Sequence, residues 1–430
     1  MRMPSICLDA QLAKYLQQFR GCFSKPQYQY FVTILLGLLL CQSSHTLSGI
    51  LRQVTAEVTL SGLSRFLSQA PWSVMDICRQ GQTAFQAAMI PWVQAEQARQ
   101  RTQRARQRGR PRQTVVTGYL IGDDSVMHKQ RGRKMGGLGH HYSTTAEKTV
   151  SGHCLVQALY VLLGRQLALE PQMYTQQSVC ETEGKPFQSK VDIMVAIIRA
   201  FTPVPGTQTH VLLDSWYTAK KVWRAARARG FLITSGLRCN RWLRIEDPAN
   251  QTAWCWQRLD EYAQQLTADD FVLMTWPRGD RSVHVHVVST RIKKLYRCQL
   301  ICIREQLNGQ TRFWASSDLD AEADTLLAHI ARRWDIEVLF ADVKELLGLD
   351  HYQLMDAEAI RRFWVLVMVA YGFLEQERAR LQQERTCHVT IGEAAREVQR
   401  VHWSHLLTWL DEQFAVHRVP ASDLRTFLLV

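Results

Sequence analysis

The sequence predicts a mixed α/β fold, on three observations. Residues 1–97 read as short helices separated by Gly and Pro, with no strand-like alternation. From Val115 to about Gly236, apolar runs of strand length alternate with helical ones. Between residues 237 and 317 the pattern becomes almost purely two-residue alternation, and helical periodicity returns from 318 to 430. The expected organisation is a helical region at 1–97, an Arg-rich linker at 98–113, a first core part at 114–236, a β-rich insertion at 237–317, and a second core part with C-terminal helices at 318–430.

Each element has its own justification. The N-terminal helices are QLAKYLQQF, YQYFVTILLGLLL, LSGILRQV, LSGLSRFLSQAPW and a segment from Val74 to Val93. A compact all-helical module of this kind serves either as a helix-turn-helix DNA reader or as a dimerisation bundle. ARQRTQRARQRGRPR (98–112) holds seven Arg and no acid or large apolar residue, so it cannot pack a core and is expected to be exposed. VVTGYLIGDDS reads as a strand ending in two acids, followed by HCLVQALYVLL and RQLALEPQMY as an antiparallel meander. FQSKVDIMVAIIRAF is a helix, THVLLDSWY a strand ending in an acid, AKKVWRAARARG a basic helix stopped by Gly230, and FLITSG a fifth strand. Three strands, helix, strand, helix, strand is the order of a ribonuclease H-like core. In the insertion, VHVHVVST, YRCQLICIRE and TRFWASS carry the alternation, with NGQ at 308–310 as a turn.

Composition narrows the class. With 430 residues, 46% of them hydrophobic, the chain can bury a large core of two or three domains. Its 52 Lys and Arg against 39 Asp and Glu give a net charge of +13, which points to nucleic acid or another polyanion as partner. Eleven Cys without a CxxC pair indicate neither a disulfide framework nor a zinc ribbon, and a reducing cytoplasm is expected. MRMPSICLDAQ turns polar too early for a signal peptide, and FVTILLGLLL (31–40) is only half the length a spanning helix needs, so no membrane is expected.

The segment Arg332 to Gln353 organises the functional reading. Ile336, Leu339, Phe340, Val343, Leu346 and Leu347 predict an amphipathic helix that begins near Ala321 and stops at Gly348. Arg333, Glu337 and Lys344 fall on one stripe of it. Such a stripe is either a solvated ion-pair face or a metal-binding carboxylate flanked by phosphate-holding cations. Asp123 and Asp124 close the first strand and Asp214 the fourth, and ligands collect at the carboxyl ends of strands in α/β sheets. With Glu337 these acids form a cluster drawn from three distant parts of the chain. Few carboxylates plus substrate phosphate are what Mg2+ requires, and two such ions serve phosphodiester displacement.

On these residues the chain resembles a DDE transposase of bacterial insertion sequences, from the group marked by a Tyr-x2-Arg-x3-Glu-x6-Lys signature. That signature reads here Ile330-x2-Arg333-x3-Glu337-x6-Lys344, followed by GLDHYQ. DDSVMHKQRG resembles an Asp-Asp-Thr-x3-Lys-x-Gly opening with Ser125 for Thr, and VLLDSWY fits the second-acid strand. The signature Tyr is replaced by Ile330, so its DNA contact is lost or comes from His329. The resemblance implies that Asp123, Asp214 and Glu337 hold two Mg2+ ions, which Mn2+ can replace. It implies that water cuts the element's end and the freed 3′-OH attacks target DNA. Arg333, Lys344 and Lys129 would hold phosphates near the ions. Strand alternation lets only one of the two adjacent acids face the ions, and the family pattern favours Asp123, with Asp124 in support. The partner is double-stranded DNA, at element ends and target, bridged by a homodimer. Two other readings stay open: a structure-selective nuclease or resolvase without strand transfer, and a domesticated derivative that only binds DNA, against which the retained acids speak.

Four further features complete the reading. His284 and His286 share a strand face but have no third ligand at metal spacing. GRKMGGLGHHY lacks the strand-to-helix context of a nucleotide loop and reads as a flexible turn. Trp242, Trp254, Trp256, Trp276 and Trp314 either pack the insertion's core or stack on an unpaired base. Arg108-Gly109-Arg110-Pro111-Arg112 matches the core of an AT-hook, the alternative being a generic phosphate-binding linker through Arg108, Arg110 and Arg112.

Overall fold

The computed structural model describes residues 9–54, 58–105, 115–143, 146–247, 250–420 and 422. The N-terminal helices are α1 (Ala10–Gln17), α2 (Lys25–Leu40), α3 (Leu47–Gln53), α4 (Leu60–Ser68) and α5 (Val74–Ala105). Side-chain oxygens of Asp9, Ser24, Thr46 and Thr59 accept first-turn amides at four of their starts, satisfying donors that a helix cannot pair internally. α5 continues well past Val93 and through residues 98–105, the start of the stretch expected to be an exposed linker. Ala, Gln and Arg are strong helix formers, and Glu96 pairs with Arg99 at 2.7 Å along the same face. Arg108, Arg110 and Arg112 lie outside the described residues.

The core elements follow: β1 (Val116–His128), β2 (Gly139–Ser143), β3 (Lys148–Leu162), β4 (Arg165–Ala168), β5 (Gln172–Tyr174), α6 (Gln177–Thr182), α7 (Lys190–Ala200), β6 (Thr207–Leu213), α8 (Lys220–Ala228) and β7 (Leu232–Leu237). β1 lies between antiparallel β3 and parallel β6, and β7 adds in parallel to β6, giving a ribonuclease H-like core. The first strand does not end at the two acids. It runs to His128 because β3 pairs with it along its whole length, from Gly118 opposite Leu162 to His128 opposite Gly152. The other side of β3 is shared by three short strands, β2, β5 and β4. RQLALEPQMY is therefore two strands parted near Pro171, whose ring removes an amide from any ladder. GHHYS, expected within a flexible turn, is β2.

The region expected as a β insertion contains β8 (Trp242–Asp247), β9 (Asn250–Arg258), α9 (Leu259–Gln265), β10 (Val272–Thr275), β11 (Ser282–Arg291), β12 (Arg297–Arg304) and β13 (Arg312–Ser316). It is not a detached unit. β13 pairs antiparallel with β7, Phe313 opposite Leu237, so β10 to β13 extend the core sheet to eleven strands among the described residues. Only β8 and β9 form a separate ribbon there.

The chain closes with α10 (Ala323–Arg332), α11 (Asp335–Glu345), α12 (Ala357–Arg385) and α13 (Ile391–Ala415). Alternation along β1 sorts the two faces. Ile121 and Met127 face α11 and α12, together with Leu155, Leu159 and Leu212. Val116 and Leu120 face α7 and α8 with Val156, Tyr160 and Val211. Gly122 lets α7 pack closely on that second face, since a Cβ there would sit 2.4 Å from Met194 Cε and the side chain would have to shift. The N-terminal helices do not keep a core of their own. Leu16, Phe31, Leu38 and Phe66 share one with Leu339, Trp364 and Phe373, and the Tyr15 hydroxyl donates to the Val369 carbonyl at 2.8 Å. Truncating a fully buried aromatic such as Trp364 to Ala should cost about 3–5 kcal/mol. Among the described residues, no helix is long and apolar enough to cross a membrane.

Candidate active site

The parallel ladder of β1 and β6 sets the acids side by side. Ile121 pairs with Leu212 and Gly122 with Leu213, so Asp123 and Asp214 stand one step further on, on the face that carries Ile121 and Leu212. Asp214 is the first residue past β6, and amides of Trp216 and Tyr217 donate to its Oδ1 at 3.0 and 3.3 Å. Burial, then the charge of Asp214, push the Asp123 carboxyl up to about 7, against the pull of Arg333. Burial raises Asp214 as well.

The third acid arrives on α11. The helix expected to run unbroken to Gly348 is interrupted at Arg333–Trp334. There the amides of Arg333 and Glu337 bond three residues back, at 3.1 Å each, tightening the turn into 3₁₀ geometry. Trp334 is left exposed, while Arg333 points inward. One arm of its guanidinium meets Asp123 Oδ2 at 3.1 Å and the other pairs with Glu337. Arg333 thus supplies positive charge between two acids 214 positions apart in sequence. Gly348, at φ +59, ends α11 as expected and lies against His45, where a Cβ would come within 2.4 Å of the His45 Cβ.

Asp124 projects from the opposite face. Its Oδ2 takes Lys190 Nζ at 2.6 Å and the Cys154 thiol at 3.5 Å, and its Oδ1 accepts the Tyr217 hydroxyl at 2.8 Å. Ser125 returns to the face of Asp123 and accepts from Lys344 Nζ at 2.9 Å. Burial lowers the Lys344 ammonium, so its proton is held less tightly than on a free lysine. Lys129 is engaged otherwise than expected. Its ammonium donates to the carbonyls of Asp350 and Tyr352 at 2.5 and 2.7 Å and lies over the Tyr352 ring, where burial brings it down to about 8.

Ile330 is buried against β11 and β12, so no side chain there reaches outward. His329 cannot replace the signature Tyr as a DNA contact, because it is buried against Tyr119 and His210. His286 is used structurally, bonded to Tyr262 Oη and the Asp270 carbonyl at 2.9 Å each. Trp242, Trp254 and Trp256 are exposed on the β8–β9 ribbon rather than packed in a core, with Arg244 4.4 Å from the Trp254 ring centre. A cleft of about 740 Å³ beside this ribbon was not anticipated. Lys190, Arg238, Arg241, Lys293, Lys294 and the exposed Trp216 line it. Arg238, Arg241 and Trp242, together with the Lys293–Lys294 pair, were the available signal.

The donor chemistry of Asp123 and Asp214 fits a divalent ion. Both are oxygen ligands, and two neighbouring half-buried carboxylates are destabilised by their mutual charge until a cation relieves it. Among the described residues, no group of three or more His, Cys, Asp or Glu is placed to hold a metal ion, and Glu337 is engaged by Arg333. Compared with known families, residues 18–258 match the DDE superfamily endonuclease model and residues 188–373 the transposase DDE domain model. Asp123 falls in the first match, Asp214 in both, and Glu337 in the second. No curated protein matches the chain.

Proposed function

The chain belongs to the DDE superfamily of endonucleases, transposase branch, and on that premise we propose that it cuts the ends of a mobile DNA element and joins the freed 3′ ends to target DNA. The observation that carries this reading is the adjacency of Asp123 on β1 and Asp214 just past β6, with Arg333 linking Asp123 to Glu337. Enzymes of this superfamily generally use divalent metal ions; here Asp123, Asp214 and Glu337 would hold two Mg2+, or Mn2+ in their place. When bound, such ions supply the charge that favours an attacking oxygen and a departing one in phosphodiester displacement.

The chain's own residues do the rest. Arg333 engages one oxygen of Glu337, and passing its guanidinium to an arriving phosphate would free both for an ion, which would couple site completion to DNA arrival. Lys344, beside Ser125, holds charge next to the same face. Lys190, Arg238, Arg241, Lys293 and Lys294 form a basic cleft with Trp216, suited to a DNA backbone. The Tyr-Arg-Glu-Lys group is supported by Arg333, Glu337 and Lys344 at the signature spacing. A homodimer bridging two ends, acting on the bacterial nucleoid, completes the reading. The test is incubation of end-bearing DNA with a supercoiled target and Mg2+. Covalent joining of 3′ ends is expected; cleavage without joining favours a structure-selective nuclease instead.

Arg108, Arg110 and Arg112 are proposed to add affinity from the linker. Arg110→Ala should lessen the preference for A·T-rich flanks, measured by gel shift across a salt series. Each lost phosphate contact should reduce the salt slope by about 0.9. Equal losses on A·T-rich and G·C-rich duplexes would replace the minor-groove role with a phosphate clamp.

A further inference from the structure

We infer that Tyr217, with Asp124 as its partner, is a positioning residue that locks the two acid-bearing strands in register at the point where the sheet no longer does so. The inference rests on the reading of Asp123 and Asp214 as divalent-ion ligands. The last pair of the β1–β6 ladder is Gly122 with Leu213, so no ladder hydrogen bond fixes Asp214 against Asp123. Two like charges sit there and repel.

Tyr217 closes that gap from both ends. Its backbone amide donates to Asp214 Oδ1 at 3.3 Å, and its hydroxyl crosses to Asp124 Oδ1 at 2.8 Å. The Asp124 amide in turn donates to Asp123 Oδ1 at 2.8 Å. A continuous path of three hydrogen bonds therefore joins one carboxylate to the other. The Tyr217 side chain is fully buried, so water does not compete for the bond its hydroxyl donates to Asp124. Lys190 holds the second Asp124 oxygen, and the Thr218 hydroxyl, 2.6 Å from the Gly236 carbonyl, anchors the loop to β7. This gives the doubled acid a purpose. Asp123 faces the ions, and Asp124 anchors the loop that carries Asp214.

Groups that orient metal ligands typically contribute a factor of about 10–100 in metal affinity. The test uses the full-length, DNA-free protein and follows its thermal shift with Mn2+. Tyr217→Phe is expected to raise the half-saturating Mn2+ concentration by roughly tenfold. Asp124→Ala, which also loses the Lys190 pair, should raise it at least as much, and Tyr217→Phe should add little in the Asp124→Ala background, because the bond they share is already gone. A purely structural role would lower the melting temperature without Mn2+ and leave half-saturation unchanged, which overturns the inference, as do additive effects of the two substitutions. Asp214→Asn separates the two layers. If it binds Mn2+ like wild type, the ligand assignment falls; if it loses Mn2+ while Tyr217→Phe keeps it, only the positioning role falls.

Discussion

Asp214→Asn is expected to slow cleavage of end-bearing DNA by on the order of 10³-fold while leaving affinity for the same DNA nearly unchanged. The carboxylate sits beside Asp123, and an amide in its place keeps the shape but loses the charge a divalent ion needs. DNA affinity comes from basic surface elsewhere, including the cleft around Arg238 and Lys293. Glu337→Gln and Asp123→Asn should behave alike. Asp124→Asn should only weaken activity, because that side chain lies on the opposite face with Lys190 and Tyr217. Gel shift and cleavage assays on one set of proteins decide the ranking. Near-normal cutting by Asp214→Asn would remove that residue from the site.

Asp123→Asn should also change stability, and in the favourable direction. The Asp123 carboxyl titrates at about 7 in the folded protein against roughly 3.9 in an unfolded chain. Between those values the folded state keeps a proton that the unfolded state has released, so stability falls as pH rises from about 4 to 7. Fully developed above pH 7, this costs up to about 4 kcal/mol. Urea denaturation without divalent ions should show that decline in wild type and little of it in Asp123→Asn. At pH 8 the variant should be the more stable protein despite being inactive. Added Mn2+ should restore wild type and not the variant. A variant less stable than wild type at pH 8 would contradict the raised Asp123 carboxyl, whose value of about 7 already includes the pull of Arg333.

Much of the site was legible in the sequence because it depends on periodicities. Spacing of four and seven put Arg333, Glu337 and Lys344 on one stripe, and two-residue alternation separated Asp123 from Asp124. What was not legible depends on pairing between distant segments. β1 outruns its acids only because β3 is long enough to match it, and no local signal in GDDSVMH says so. The break at Arg333–Trp334 is invisible to hydrophobic periodicity, since a tight turn barely changes the phase of the apolar stripe. Lys129 was expected on phosphate because its carbonyl partners, Asp350 and Tyr352, lie 221 and 223 residues away. The N-terminal helices looked self-sufficient because their apolar faces do not reveal that α12 completes their core. Tyr217 closes the VLLDSWY motif, but nothing in that motif shows that its hydroxyl reaches Asp124, 93 residues away.

If acids from β1, the end of β6 and α11 hold one divalent centre, the DNA-bound protein loaded with Fe2+ in place of Mg2+ should be cut by ascorbate and peroxide in the backbone beside the ion. Mass spectrometry of the fragments should place the cuts around residues 123, 214 and 337, with all three lost in Asp214→Asn. Cuts clustered elsewhere, or unchanged in that variant, would contradict the account.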